Sequence, residues 1–216
     1  MERYVIHTDN ETVEKTFEVN TSSQSIFDPN FNAASGHSLP VIFKEKGVST
    51  IQSKIWGITK GKQNISSVEI SEVLQDEYYL DLLKSNPCII PVTGFYKWKQ
   101  TVDDPLPFFV RIHTRDILAI AGFYLENKSG RNSFCVITME ASVLLKPLEN
   151  SMPCILSPGK FESWLNGGAV DLLKEGFKDT SLLPDMTVVR VPDLVNDLSN
   201  NHKDLIQPIP KLRDED

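Results

Sequence analysis

Lys97 is the residue whose type and setting most invite chemistry. It stands in Gly94-Phe-Tyr-Lys-Trp98, where large aromatic residues alternate with polar or charged ones, the pattern of a two-faced strand. Strand side chains repeat every two residues, so Phe95 shares a face with Lys97 and Tyr96 shares the other with Trp98. If an aromatic pair packs into a core, Lys97 is expected to point out of it, towards water or a cleft. A lysine amine with a lowered pKa attacks carbonyl carbon to give a Schiff base, and burial is one way to lower that pKa. The other reactive types are less promising. Cys88, Cys135 and Cys154 are isolated, each in an apolar run, and read as reduced core thiols. No Cys-x-x-Cys or His-x-x-x-His spacing offers a metal site, and no cofactor is implied. The four histidines, His7, His37, His113 and His202, are scattered. Ser35 and Ser38 flank His37 without the Gly-x-Ser-x-Gly elbow of a serine hydrolase. Trp56, Trp98 and Trp164 are candidate stacking platforms for bases. Trp98 and Trp164 read as core, and Trp56, at a strand end, stays open.

Strands dominate the elements that must hold these residues. Strands are expected at Pro40–Phe43, Lys54–Ile58, through Pro87–Trp98, and at Pro107–Ile112, Ile117–Tyr124, Ser133–Thr138, Met152–Leu156 and Thr187–Val191. Helices are expected at Glu11–Val19, Val68–Leu83, Glu140–Leu148, from Ser157-Pro158 to Asn166-Gly167, and at Asp171–Phe177. A turn is expected at residues 127–131. The two kinds of element intermix without βαβ alternation. The class is therefore α+β with a mostly antiparallel sheet, one domain over residues 1–212, and a disordered acidic tail at 213–216.

Composition narrows the partners. The chain has 216 residues, 40% of them hydrophobic, and a net charge of −7, so it builds a sizeable core but lacks the basic stripe of a dedicated nucleic-acid binder. Its basic clusters are small: Lys44 with Lys46, Lys60 with Lys62, Lys97 with Lys99, and Arg111 with Arg115. No apolar run approaches a membrane span and the N-terminus lacks a signal-peptide layout, so a cytoplasmic protein without membrane contact is expected.

The segment Pro87-Cys-Ile-Ile-Pro-Val-Thr-Gly-Phe-Tyr-Lys-Trp98 resembles the signature R-C-[LI]-[IV]-P-x-x-G-[FW]-[YF]-E-W of the SOS-response-associated peptidase (SRAP) family. Further blocks follow in the family's order. Asn30-Phe-Asn-Ala-Ala through Pro40-Val41 is similar to R-Y-N-[IV]-A-P-x-x-x-x-P-V, and Trp56-Gly-Ile58 to W-G-[LY]. Ile120-Ala-Gly-Phe-Tyr124 stands for A-G-L-[WY], and Leu148-Glu-Asn-Ser-Met-Pro153 for I-H-x-R-M-P. The resemblance covers nearly the whole chain. It implies one SRAP-like domain with a curved, barrel-like sheet, and a protein that binds abasic sites in single-stranded DNA and crosslinks to them in the DNA damage response.

The chemistry implied by the resemblance needs residues that this chain has replaced. In the family, a Cys after the initiator Met closes a thiazolidine ring on the abasic aldehyde; here that position is Glu2. The family's site Asn is Ile65, its Glu is Lys97 and its His is Glu149. Three phosphate-gripping arginines are Asn30, Ser67 and Ser151, and a fourth is Tyr4, with Arg3 one place away. Glu69 and Asn32 are retained, and His37 lies in a block near the family's cleft. Without thiol, carboxylate and imidazole that ring chemistry has no route. Without the arginines, the strand loses bidentate phosphate contacts.

Three readings of Lys97 stay open. It is a solvated strand lysine with Glu149 a solvated acid; it forms an ion pair with Glu149 that plugs the former site; or it attacks the abasic aldehyde as an amine. In the last case the Met1 α-amine is the other candidate, and Glu2 or Glu149 would serve as base. The reading favoured is a catalytically silent binding protein. Its partner is single-stranded DNA, held weakly, or a protein such as an active paralogue. The alternative is an abasic-site enzyme working through Met1 or Lys97.

Overall fold

The computed structural model describes residues 2–19, 21, 27–127, 132–176 and 185–210. Two antiparallel-rich sheets carry the fold. The first has five strands in the order β15-β10-β9-β1-β2: β1 (Arg3–Ile6), β2 (Asn30–Ala34), β9 (Gly94–Lys99), β10 (Leu106–Ile112) and β15 (Met186–Arg190). The second runs β13-β12-β4-β3-β8-β11-β14. Its members are β3 (Ser38–Glu45), β4 (Val48–Trp56), β8 (Pro87–Val92), β11 (Leu118–Leu125), β12 (Ser133–Glu140), β13 (Ser151–Pro153) and β14 (Ile155–Leu156). This sheet curves until β12 also pairs with β11, while β7 (Ser67–Glu69) lies parallel to β12. A small hairpin, β5 (Ile58–Lys60) with β6 (Gln63–Ile65), completes the set. The expected α+β class and curved sheet are what the chain forms.

The segment Pro87–Trp98 is where the two sheets meet. Pro87–Val92 is buried along its whole length, and Gly94 starts β9 against β10. A β-carbon at Gly94 would fall 2.3 Å from the Phe109 ring and 2.7 Å from the Val110 carbonyl, so that crossing admits only glycine. One large core fills the second sheet. A smaller cluster of Val5, Phe31, Tyr96, Trp98, Phe109, Val191, Val195 and Leu205 covers the other face of the first.

Helix α1 (Asn10–Phe17) begins at Asp9, whose carboxylate accepts the Thr12 N–H at 2.7 Å, and buries Val13 and Phe17. The expected helix over Val68–Leu83 is two: α2 (Ile70–Gln75) and α3 (Glu77–Ser85), broken at Asp76, whose side chain caps the second. Val73, Tyr79 and Leu83 are the core residues of this pair. The helix expected at Glu140–Leu148 is not formed. β12 runs to Glu140, and a series of turns follows, closed by the Ala141 N–H on the Asn150 carbonyl. Pro158–Lys160 opens an irregular helical run that breaks at Asn166 and Gly167 before helix Ala169–Glu175. Most of the turn at 127–131, and the tail at 213–216, lie outside the described residues. No helix among the described residues is long and apolar enough to cross a membrane.

Candidate functional site

β9 is sandwiched between β1 and β10, with Lys97 opposite Phe108. Its two faces are both covered. Phe95 enters the large core, and Tyr96 and Trp98 enter the smaller one. Of the two directions expected for Lys97, water or a cleft, water is excluded: its side chain is 1% exposed. The C-terminal segment covers the Tyr96 and Trp98 face, and Lys97, on the Phe95 face, is covered by Glu149.

The ammonium is compensated by one carboxylate. Lys97 Nζ donates to Glu149 Oε2 at 2.5 Å, and Glu149 Oε1 accepts the Trp98 backbone N–H at 3.3 Å. Glu149 is held from its own side by its backbone N–H on the Leu145 carbonyl at 3.1 Å. With its side chain 26% exposed, it forms the lid of the contact and Lys97 the floor. Of the readings left open, the solvated one fails and the ion pair is present. An ammonium engaged in this way offers no free lone pair to an aldehyde.

The surrounding positions fall into three groups. Glu2 is exposed just ahead of β1. The register of Tyr4 opposite Phe95 and Val5 opposite Gly94 runs on towards Glu2 abreast of Lys97. Met1, the other candidate amine, lies outside the described residues. Ile65 ends β6 and packs against the large core. Ser67, Glu69 and Ser151 share one stretch of sheet, β7 and β13 both pairing with β12, where Thr138 faces Glu69 and Glu140 faces Ser151.

The third group is structural. Asn32 is buried, and its amide donates to the carbonyls of Val195, Asp197 and Asn200, each at 3.1 Å. Arg3 donates to Asn32 Oδ1 at 3.3 Å, to the carbonyls of Val195 and Asn196, and lies over the Trp98 ring at 5.5 Å. Burial pulls its pKa down. Arg3 thus fastens the C-terminal segment. It cannot serve at Tyr4, the position at which the resemblance expects an arginine, because adjacent strand residues face opposite ways. Tyr4 instead enters the core 4.9 Å from the Trp56 ring, its hydroxyl without a hydrogen-bond partner among the described residues. Asn30 accepts the Asn32 N–H at 3.0 Å, and Asn30 Nδ2 lies 3.5 Å from Nδ1 of half-buried His37. Trp56 is fully buried, stacked at 10° on Phe134 with its indole N–H on the Ser66 carbonyl at 2.9 Å, so it offers no face to a base. Trp98 and Trp164 are core as expected.

The three thiols are buried, and burial pushes their pKa values up, away from thiolate. Among the described residues no group of three His, Cys, Asp or Glu gathers as a metal site would need. Sequence reasoning missed Lys54. It is 2% exposed, with Nζ 4.2 Å from the Phe43 ring centroid and 4.4 Å from that of Tyr124. Its parity with Trp56 along β4 was the one available signal.

Known proteins bear on this geometry. The chain is 24% identical to abasic site processing protein YoaM of Bacillus subtilis over 197 residues, covering 83% of this chain and 85% of that one. It is 24% identical to YobE of the same organism, also named an abasic site processing protein, over 79% and 84% of the two chains. A structure of a Bacteroides thetaiotaomicron protein superimposes with a TM-score of 0.78 at 18% identity, over 97% of this chain and all of that one. A phage-related protein of Bordetella bronchiseptica gives 0.71 at 13% identity, over 89% and 95%. The family model for SOS response associated peptidase (SRAP) matches residues 2–198, and the chain belongs to that family.

Proposed function

We propose that this SRAP-family protein is a non-catalytic binding member of the family, which holds single-stranded DNA weakly and does not bond to it. The observation that carries the proposal is the 2.5 Å contact between Lys97 Nζ and Glu149 Oε2, at the two positions where the resemblance places a reactive carboxylate and imidazole. That pair fills the site with groups that satisfy each other. The three thiols are buried, and Glu2 supplies no thiol in their stead. Asn30, Ser67 and Ser151 replace arginine and give no charged grip on phosphate. Reduced, buried thiols fit a cytoplasmic setting.

The test is a gel assay with an abasic single-stranded oligonucleotide and its intact counterpart, with and without borohydride. No covalent adduct is expected in any lane, and both strands should bind with similar, weak affinity. Salt dependence should be shallow, since log K falls with log salt by about 0.7 for each phosphate contacted on a single strand. A borohydride-trapped adduct would overturn the proposal in favour of an amine route. Sequencing the adduct would then decide between Met1 and Lys97.

A further inference from the structure

His7, Arg111, His113 and Arg115, dispersed along the chain, line one cavity of about 330 Å³. It opens at the end of the five-stranded sheet where β1 and β10 finish and β9 begins, with Thr93 on its wall. Lys97 lies three residues further along β9 than Gly94, about 10 Å at the rise of a strand. The cavity is therefore separate from the Lys97–Glu149 contact.

Its walls are held in place. The Thr93 N–H donates to the Val5 carbonyl at 2.8 Å. The turn after β10 is closed by the Arg115 N–H on the Ile112 carbonyl at 3.2 Å and tied down by the His113 N–H on the Asp185 carbonyl at 2.9 Å. The Thr114 hydroxyl adds a bond to the Asp185 carboxylate at 2.9 Å.

The arginines divide sharply. Of the four among the described residues, Arg3 fastens the C-terminal segment and Arg190 pairs with Asp193 at 2.5 Å. Arg111 and Arg115 have no carboxylate partner among the described residues, and both line this cavity. Two acids line it as well: Asp9, whose carboxylate is engaged with the Thr12 N–H, and Asp116, exposed at the surface. Phe109 and Ile206 supply an apolar side. Unpaired guanidinium groups in a molecule of net charge −7 are matched to a planar or tetrahedral oxyanion, which they grip bidentately. The volume is at the small end of ligand sites, which start at about 300 Å³.

We propose that this cavity binds a terminal phosphate monoester of mononucleotide size, with Arg111 and Arg115 on the phosphate and Phe109 and Ile206 against the remainder. Two sources share that chemistry, a free mononucleotide and the 5′-terminal phosphate of a DNA strand. The inference does not rest on the proposed function.

Calorimetric titration tests it with deoxyadenosine 5′-monophosphate, deoxyadenosine, and a short oligonucleotide with and without a 5′-phosphate. The monophosphate should bind and deoxyadenosine should not at the same concentrations. The double variant R111Q/R115Q should weaken binding by tenfold or more with its thermal unfolding unchanged, and the single variant R115Q should weaken it by a smaller factor. Tighter binding of the phosphorylated oligonucleotide than of the free monophosphate assigns the strand end as the source; the reverse order assigns the free nucleotide. Absence of binding by the monophosphate, equal binding of deoxyadenosine, or unaltered binding by both variants overturns the proposal.

Discussion

Two lysines are buried among the described residues, and they are stabilised by different means. Lys97 on β9 meets a carboxylate, with Glu149 at 2.5 Å. Lys54 on β4 meets two ring faces, Phe43 and Tyr124, and no carboxylate within ion-pairing distance among the described residues. A carboxylate cancels the charge, whereas ring quadrupoles only attract it. Desolvation accordingly pulls the Lys54 pKa down. A buried pair costs little net when both partners are present and a great deal when one is lost. The difference separates a cation cancelled by a carboxylate from one that is merely tolerated.

Lys97→Glu breaks the comparison most severely. It sets two carboxylates against each other in a buried site, and a loss of about 3–5 kcal/mol, the range for an uncompensated buried charge, is expected in urea unfolding. Retention of wild-type stability would mean that Glu149 swings out freely. Asn32→Leu comes next. It leaves the carbonyls of Val195, Asp197 and Asn200 without their donor, and about 1–3 kcal/mol should be lost, with early proteolysis of the C-terminal segment as the local sign.

Lys54→Met sharpens the contrast with the opposite sign. Replacing an unpaired buried cation by an apolar side chain of similar length should leave stability unchanged or raise it by about 1 kcal/mol. The gain depends on pH. Because the folded-state pKa of Lys54 is depressed, the unfolded chain binds more protons between that value and the ordinary 10.5. Wild-type stability therefore recovers through Lys54 as pH rises across that window, and the advantage of the Met variant shrinks. The thiols act oppositely in both proteins. Their raised pKa values make stability fall as pH climbs past the usual thiol range, and loss of the Lys54 charge raises the Cys88 thiol further, which shrinks the advantage of the Met variant in the same direction. An advantage that grows with pH would contradict the assignment. Trp98→Phe is the smallest change: it removes the indole N–H donated to Asn196 at 2.7 Å, at a cost of about 1 kcal/mol.

The sequence makes the frame legible and the burial of its charges illegible. Pro87–Trp98 could be read as strand, turn and strand because β-branched and aromatic alternation is local. Lys97 could not be placed by the same rule. Its burial depends on Glu149 and the turns after β12, which close over the Phe95 face of β9 through contacts that no local pattern announces. Glu149 lies 52 residues from Lys97, and only the shared family blocks suggested that the two meet. The helix expected at Glu140–Leu148 failed for a related reason. Thr138–Glu140 was drawn into pairing with Ser151–Pro153, which forced the intervening residues into turns that aim Glu149 back at β9. Trp56 stayed ambiguous in sequence because a strand end can face water or core, and its Phe134 neighbour lies 78 residues on.

The claim that Lys97 and Glu149 satisfy each other is tested most directly by a double-mutant cycle of Lys97→Met, Glu149→Gln and the combined variant, measured by urea unfolding. Contacting residues in such cycles show coupling of about 0.5–3 kcal/mol, and the upper half of that range is expected here, with the double variant more stable than Glu149→Gln alone. Additivity within about 0.3–0.5 kcal/mol, the behaviour of independent sites, would contradict the account.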